Sequence, residues 1–190
     1  MLHLAPADYK RTTWKNGGGT TTELAISPQN ADLSNFLWRL SIAEVDADGP
    51  FSLFPGCNRT VMLIDGGGMT LDAGEYGSIP LIEPLQAKSF SGDWPVVGRL
   101  ISGPVRDFNL IVRRDAAQGS LNAVVFDSGY LAKCTEGATL ICHILKENTD
   151  SARQGDTLIT NCDLTLAAAG NGPVTAILAI IRGNVQSRKA

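Results

Sequence analysis

Trp38-Arg39-Leu40-Ser41-Ile42-Ala43-Glu44-Val45 alternates large or apolar side chains with smaller or polar ones. Successive side chains of an extended chain point to opposite faces, so the stretch reads as a β-strand with one face buried and the other available. Trp38, Leu40, Ile42 and Glu44 share one face; Arg39, Ser41, Ala43 and Val45 share the other. Downstream, Arg59-Thr60-Val61-Met62-Leu63-Ile64 and Met69-Thr70-Leu71 flank Asp65-Gly66-Gly67-Gly68. The Asp-Gly pair supplies positive-φ residues and predicts a tight hairpin between these two runs. Further strands are expected at 85–90, 109–113, 121–126, 139–145, 157–159, 164–168 and 175–182. Twenty glycines and nine prolines are spread through the chain, which suits short strands joined by turns and disfavours long helices. A short connector at 31–36 is the expected helix.

An internal echo accompanies this pattern. Gly74-Glu75-Tyr76-Gly77-Ser78-Ile79-Pro80 follows the expected hairpin, and Gln154-Gly155-Asp156-Thr157-Leu158-Ile159 follows the strand at 139–145. Two related β units, each closing a small barrel or sandwich, would produce it and would leave few exposed sheet edges. Repeated hairpins of an ordinary antiparallel protein would produce it too.

Composition bounds the function. With 190 residues, 44% of them hydrophobic, and a formal charge of −3, the chain can bury one or two cores and needs no polyanionic partner. Lysines and arginines are scattered, which argues against nucleic acid. The start lacks an uninterrupted apolar stretch, and Val174-Thr175-Ala176-Ile177-Leu178-Ala179-Ile180-Ile181 falls short of the ~20 residues of a membrane span. A cytoplasmic location without membrane attachment is expected. Cys57, Cys134, Cys142 and Cys162 form no C-x-x-C pair, so reduced thiols are expected.

Three site chemistries fit poorly. Lys15-Asn16-Gly17-Gly18-Gly19-Thr20 places its lysine before the glycines, the reverse of a phosphate-binding loop, and leads into a β-branched strand where that loop needs a helix. It reads either as a flexible joint or as a thinned strand where Asn16, Thr20, Thr22 and bare backbone meet a ligand. Only His3 and His143 exist, without H-x-H or H-E-x-x-H spacing, so no metal is expected. No G-x-S-x-G is present, and Cys57 has no obvious histidine partner.

The motifs R-x-x-W-K-N-G-G-G-T at Arg11 to Thr20, W-R-x-S-x-A at Trp38 to Ala43, G-P-F-S-x-F-P-G-x-x-R at Gly49 to Arg59 and G-P-V-R-D-F-N-L at Gly103 to Leu110 resemble the HutD/Ves family over most of the chain. The resemblance implies an all-β double cupin that has lost its metal-binding histidines and carries no cofactor. Residues 1–115, N-terminal strands included, would form the first barrel and 116–190 the second, packed as one unit. It further implies a regulatory protein of histidine utilisation that binds an anionic intermediate such as urocanate or formylglutamate. The Ves branch is tied instead to environmental stress. A homodimer is expected by cupin analogy alone.

For such a ligand a guanidinium fork supplies energy and orientation, which singles out Arg39 and Arg59. Arg39 has the alternative of a salt bridge with Glu23 or Glu44 or a solvent-facing place; Arg59 has that of fixing a turn through backbone carbonyls. Asn16 and Ser41 would set ligand polarity, Thr20 would add a hydroxyl, and Trp14 or Trp38 would provide a flat wall. Asp107 and Asn109 share a strand face and could line a pocket, unless Asp107 pairs with Arg106 or Arg113. A competing class is a metal-free isomerase or hydrolase with Glu23 or Asp107 as general base. A third is a pure protein-interaction module.

Overall fold

The computed structural model describes residues 1–170 and 172–184. Its strands are β1 (Leu2–Leu4), β2 (Lys10–Thr13), β3 (Gly19–Ser27), β4 (Trp38–Val45), β5 (Gly49–Pro50) and β6 (Cys57–Gly66). They continue with β7 (Met69–Asp72), β8 (Ser78–Leu81), β9 (Ala87–Ser91), β10 (Val97–Leu100), β11 (Val105–Arg113) and β12 (Ala117–Phe126). The last are β13 (Gly129–Ala132), β14 (Ala138–Lys146), β15 (Thr157–Thr160), β16 (Leu164–Ala167) and β17 (Val174–Gly183). The fold is all-β, as expected. Helix among the described residues is limited to single 3₁₀ turns at Pro6–Asp8 and Gly74–Tyr76. Residues 31–36 form a turn and no helix; Asp32 Oδ1 accepts from the Ser34 amide at 2.8 Å, a local bond that competes with helical pairing. Among the described residues no helix is long and apolar enough to cross a membrane.

Among the described residues the strands form four antiparallel sheets, with strand orders β2-β3-β4-β11-β6-β9, β5-β10-β7-β8, β1-β15-β14-β17-β12 and β13-β16. The large sheet of each half repeats one scheme. β4-β11-β6-β9 in the first corresponds to β12-β17-β14-β15 in the second, and the β5–β10 pair corresponds to β13–β16. The correspondence extends to single bonds: the Leu85 amide donates to the Leu63 carbonyl before β9, and the Gly155 amide to the Ile144 carbonyl before β15. Both donors have positive φ, 65° and 92°.

The repeat differs from the echo read in the sequence. Gln154-Gly155-Asp156 leads into β15, the counterpart of β9, whereas Gly74 to Gly77 leads into β8 of the smaller sheet. The better signal is Gly103-Pro104-Val105 opening β11 against Gly172-Pro173-Val174 opening β17. The expected hairpin at Asp65 to Gly68 is also absent: β6 pairs with β9 and β11, and β7 with β8 and β10. That glycine run carries the chain from one sheet to the other. It lies so close to the segment before β11 that a Cβ on Gly67 would sit 2.2 Å from the Ser102 carbonyl oxygen, and one on Gly66 2.4 Å from that of Pro104. β1, placed with the first unit from the sequence, crosses over and pairs with β15.

Both faces of β4 are buried. The even residues Leu40 and Ile42 join Met62, Phe108 and Leu110 against Ile141, Ile177 and Ala179 of the other large sheet, forming the core between the halves. The odd residues turn inward, over the four-stranded sheet.

Candidate functional site

Register aligns the inward residues of neighbouring strands into rungs. Thr21, Ala43, Asp107 and Leu63 form one; Glu23, Ser41, Asn109 and Val61 the next; Arg39, Ile111, Arg59 and Phe90 the third. Side chains opposite each other in an antiparallel pair lie on the same face about 5 Å apart, so polar groups far apart in sequence converge here. Val45 and Val105, the next inward pair along β4 and β11, are buried in one apolar cluster with Leu71.

Arg59 sits at the centre. Its guanidinium donates to the Ser52 carbonyl and to Asn109 Oδ1, both at 3.1 Å, while Nε has no partner. Three aromatic rings surround it, with centroids 5.0 Å (Phe51), 5.5 Å (Phe54) and 5.2 Å (Phe90) from the guanidinium carbon. Burial lowers its pKa to about 10, against the opposing attraction of Asp107. Arg59 makes no salt bridge among the described residues. Asn109 links it to Asp107, whose Oδ1 accepts from the Asn109 amide and whose fully buried Oδ2 has no partner. Burial pushes the Asp107 carboxyl up to about 7; Arg59 and the Asn109 bond pull the other way.

Beside this chain, Arg39 Nε donates to Glu23 at 2.6 Å, a largely buried pair. Arg39, Ser41, Arg59 and Asn109 line a cavity of about 110 Å³. The loop from Pro50 to Phe54 covers it, and Trp14 walls one side, held by donation from its indole nitrogen to the Thr21 hydroxyl at 2.8 Å. Ser41, only 2% exposed, contributes to the cavity lining. The cavity thus presents guanidinium, amide and hydroxyl groups between aromatic walls, a composition suited to a flat anion.

Of the residues proposed from the sequence, Trp14, Arg39, Ser41, Arg59 and Asn109 line this cavity, and Glu23 and Asp107 support it one contact behind. Three lie elsewhere. Trp38 has even parity on β4 and faces a separate cleft beside Leu2 and Ile159. Thr20, also on the even face, donates to Glu44 at 2.9 Å; the inward hydroxyl is that of Thr21. Asn16 belongs to the exposed β2–β3 turn, where its Oδ1 accepts from the Gly18 amide at 3.1 Å. Asp107 pairs with neither Arg106 nor Arg113. The sequence reading missed Phe51, Phe54 and Phe90; the first two stand in the G-P-F-S-x-F-P-G run, whose aromatic spacing was the available signal.

The corresponding interior of the other half is apolar. Register places Leu140 opposite in role to Arg59, Ala176 to Asp107 and Leu178 to Asn109, all within one hydrophobic cluster. Among the described residues no three His, Cys, Asp or Glu side chains converge to hold a metal. The polar cavity offers mainly donors, so it does not fit a cation.

The HutD family model matches residues 6–180. An uncharacterised 21.2 kDa protein in the hutC 3′ region of Pseudomonas putida is 44% identical over 108 residues, 57% of this chain and only 56% of that relative's length. A conserved protein of unknown function from Pseudomonas aeruginosa PAO1 superposes with a TM-score of 0.83 at 30% identity, over 95% of this chain and 98% of the other. HutD from Pseudomonas fluorescens SBW25, solved in a formate condition, gives 0.74 at 30% identity, over 96% and 98%. Bacillus subtilis oxalate decarboxylase, 7% identical with a TM-score of 0.65 over 94% of this chain and 76% of that one, shares the double cupin fold alone. A match spanning the rungs, the covering loop and both β units places the chain in the HutD family.

Proposed function

We propose that this protein is a metal-independent sensor of histidine utilisation that binds an anionic pathway intermediate in the cavity of its N-terminal half. Arg59 carries the reading: a buried guanidinium without a salt bridge among the described residues, its Nε unpartnered, ringed by aromatics, with Ser41 beside it in the cavity lining. The relative in the hutC region of Pseudomonas putida and the HutD of Pseudomonas fluorescens support the pathway.

Charge selects among the candidates. The interior holds Arg39 and Arg59 against Glu23 and Asp107, and Arg39 is already neutralised by Glu23. Below about pH 7, where Asp107 is mostly protonated, one positive charge remains, which balances a monoanion. Urocanate, flat and with a single carboxylate, meets that condition; formylglutamate brings a second carboxylate that nothing inside would compensate.

Asp107 favours a catalytic reading in one respect, since a carboxyl titrating near neutrality suits a general base. It lies behind Asn109 and outside the cavity lining, and Glu23 is held by Arg39, so neither reaches a bound molecule first. Binding is the stronger reading.

Calorimetry against urocanate, formylglutamate and histidine tests it. One-to-one urocanate binding is expected, at least about tenfold weaker for formylglutamate, and weakened about tenfold or more in Arg59→Gln, since a charge-assisted bond contributes roughly 1.5–3 kcal/mol. Ser41→Ala, a milder change, should weaken it less with an unaltered fold. Failure of all three compounds to bind, or product formed from any of them, would overturn the proposal.

A further inference from the structure

A second cavity, of about 220 Å³, lies between the halves and is unrelated to the Arg59 site. Thr22 and Arg106 come to it from the N-terminal half, His143 and Gln154 from the C-terminal half, and Tyr9 from the segment after β1; Leu24, Ile42 and Leu145 supply apolar floor. His143 is 3% exposed and packs against Phe108, ring centroids 5.4 Å apart.

The hydrogen bonds behind His143 fix its tautomer. The Gly155 carbonyl can only accept, so the Tyr9 hydroxyl, 2.6 Å away, must donate to it. The Tyr9 oxygen then accepts from Thr157, 2.7 Å away, and that spends the Thr157 proton. Thr157 Oγ1, 3.0 Å from His143 Nδ1, is left to accept, so Nδ1 carries the imidazole hydrogen. Nε2 is therefore the acceptor of the ring, on a side chain that lines the cavity. Burial first, then the nearby Arg106 cation, lower the His143 pKa to about 4, so the ring stays neutral. Arg106 is about half exposed and only loosely engaged by Glu44, at 3.9 Å.

We infer that this cleft is a second ligand site, for a small carboxylate that also bears a hydroxyl or N–H donor: the carboxylate meets Arg106 and the donor meets His143 Nε2. A molecule seated there touches both halves, so its binding would couple to their packing.

The chain has two histidines, so ¹⁵N-imidazole labelling reports on His143 with little overlap. Lactate and propionate are the probes, being alike in charge and size and differing in the hydroxyl. The spectrum of the free protein should show the Nδ1–H tautomer. Lactate should shift the Nε2 resonance saturably, with a dissociation constant on the order of millimolar, and propionate should leave it in place. Arg106→Gln should weaken the lactate response about tenfold, whereas Arg59→Gln should preserve it, which separates this cleft from the first cavity. An Nε2–H tautomer, no lactate response, equal responses to the two acids, or a response untouched by Arg106→Gln would each overturn the proposal.

Discussion

Replacing Asp107 with asparagine should change how stability depends on pH more than any other single substitution in the interior. The carboxyl is wholly buried and one oxygen lacks a partner, so ionisation in the folded state is costly, and its pKa rises from an ordinary 3.8 to about 7. Between those values the native state keeps a proton that the unfolded chain has released. The stabilisation from this group is therefore complete below about pH 4 and is lost as pH rises through about 7. Roughly three pH units at ~1.4 kcal/mol each give ~4 kcal/mol, an upper figure because relaxation and water reduce the penalty of a buried charge. The Asp107→Asn side chain would keep the shape and the acceptor for Asn109 but has no proton to lose. Its own unpaired amide adds a cost that does not vary with pH. Denaturant unfolding of both proteins at steps from about pH 4 to 8, subtracted at each pH, cancels the other titrating groups. The difference should swing toward the variant by up to ~4 kcal/mol across that window. A difference that stays flat would refute the assignment of a buried, neutral carboxyl at this position.

Glycine roles separate cleanly in the β2–β3 turn. A Cβ on Gly19 would lie 2.2 Å from the Glu44 carbonyl and 3.1 Å from the Trp14 ring, so Gly19→Ala should cost about 1–3 kcal/mol in denaturant unfolding, whereas at Gly18 the nearest atom is the exposed Asn16 side chain, 3.5 Å off, and alanine should be tolerated. Cys162 is exposed and should react with a thiol reagent in the folded protein; Cys142, buried and with its thiol pushed up to about 12, should react only on unfolding, as mass spectrometry of labelled peptides would show. Tyr9→Phe removes the bonds to the Gly155 carbonyl and Thr157, and should cost about 1–3 kcal/mol and speed amide exchange in β1, which β15 holds nearby.

Alternation in Trp38 to Val45 made the strand and the kinship of Arg39, Ser41 and Ala43 legible, because a period of two is a local property of the chain. Which face was which could not be read so easily. A half-buried strand turns its polar side to water, but here the even face packs on the other half and the odd face closes over a cavity, so Arg39 is polar and inward. Parity also decided between Trp14 and Trp38, and between Thr21 and Thr20. The register that brings Glu23 beside Arg39 and Asn109 beside Arg59 joins residues 16 and 50 positions apart, and no local signal encodes it. Asp65 to Gly68 misled because its glycines answer a tertiary demand, close passage over Ser102 and Pro104, that looks in sequence like a turn preference.

The two halves share a strand scheme and divide the physical tasks. Positions occupied by Arg59, Asp107 and Asn109 in the N-terminal half hold Leu140, Ala176 and Leu178 in the C-terminal half. Buried polar groups weaken a fold unless each is paired, and here the Arg59 Nε and the Asp107 Oδ2 are not. A lone sandwich with that interior would be marginal, since small domains bury too little surface to carry such a cost. The apolar counterpart supplies what the polar unit lacks: a closed hydrophobic cluster of its own, a shared core running from Leu40 to Ile177, and an anchored β1 strand reaching across from the N-terminus. The C-terminal interior acts as a buttress, and the stability it brings to the shared core offsets the unpaired polar groups of the Arg59 cavity.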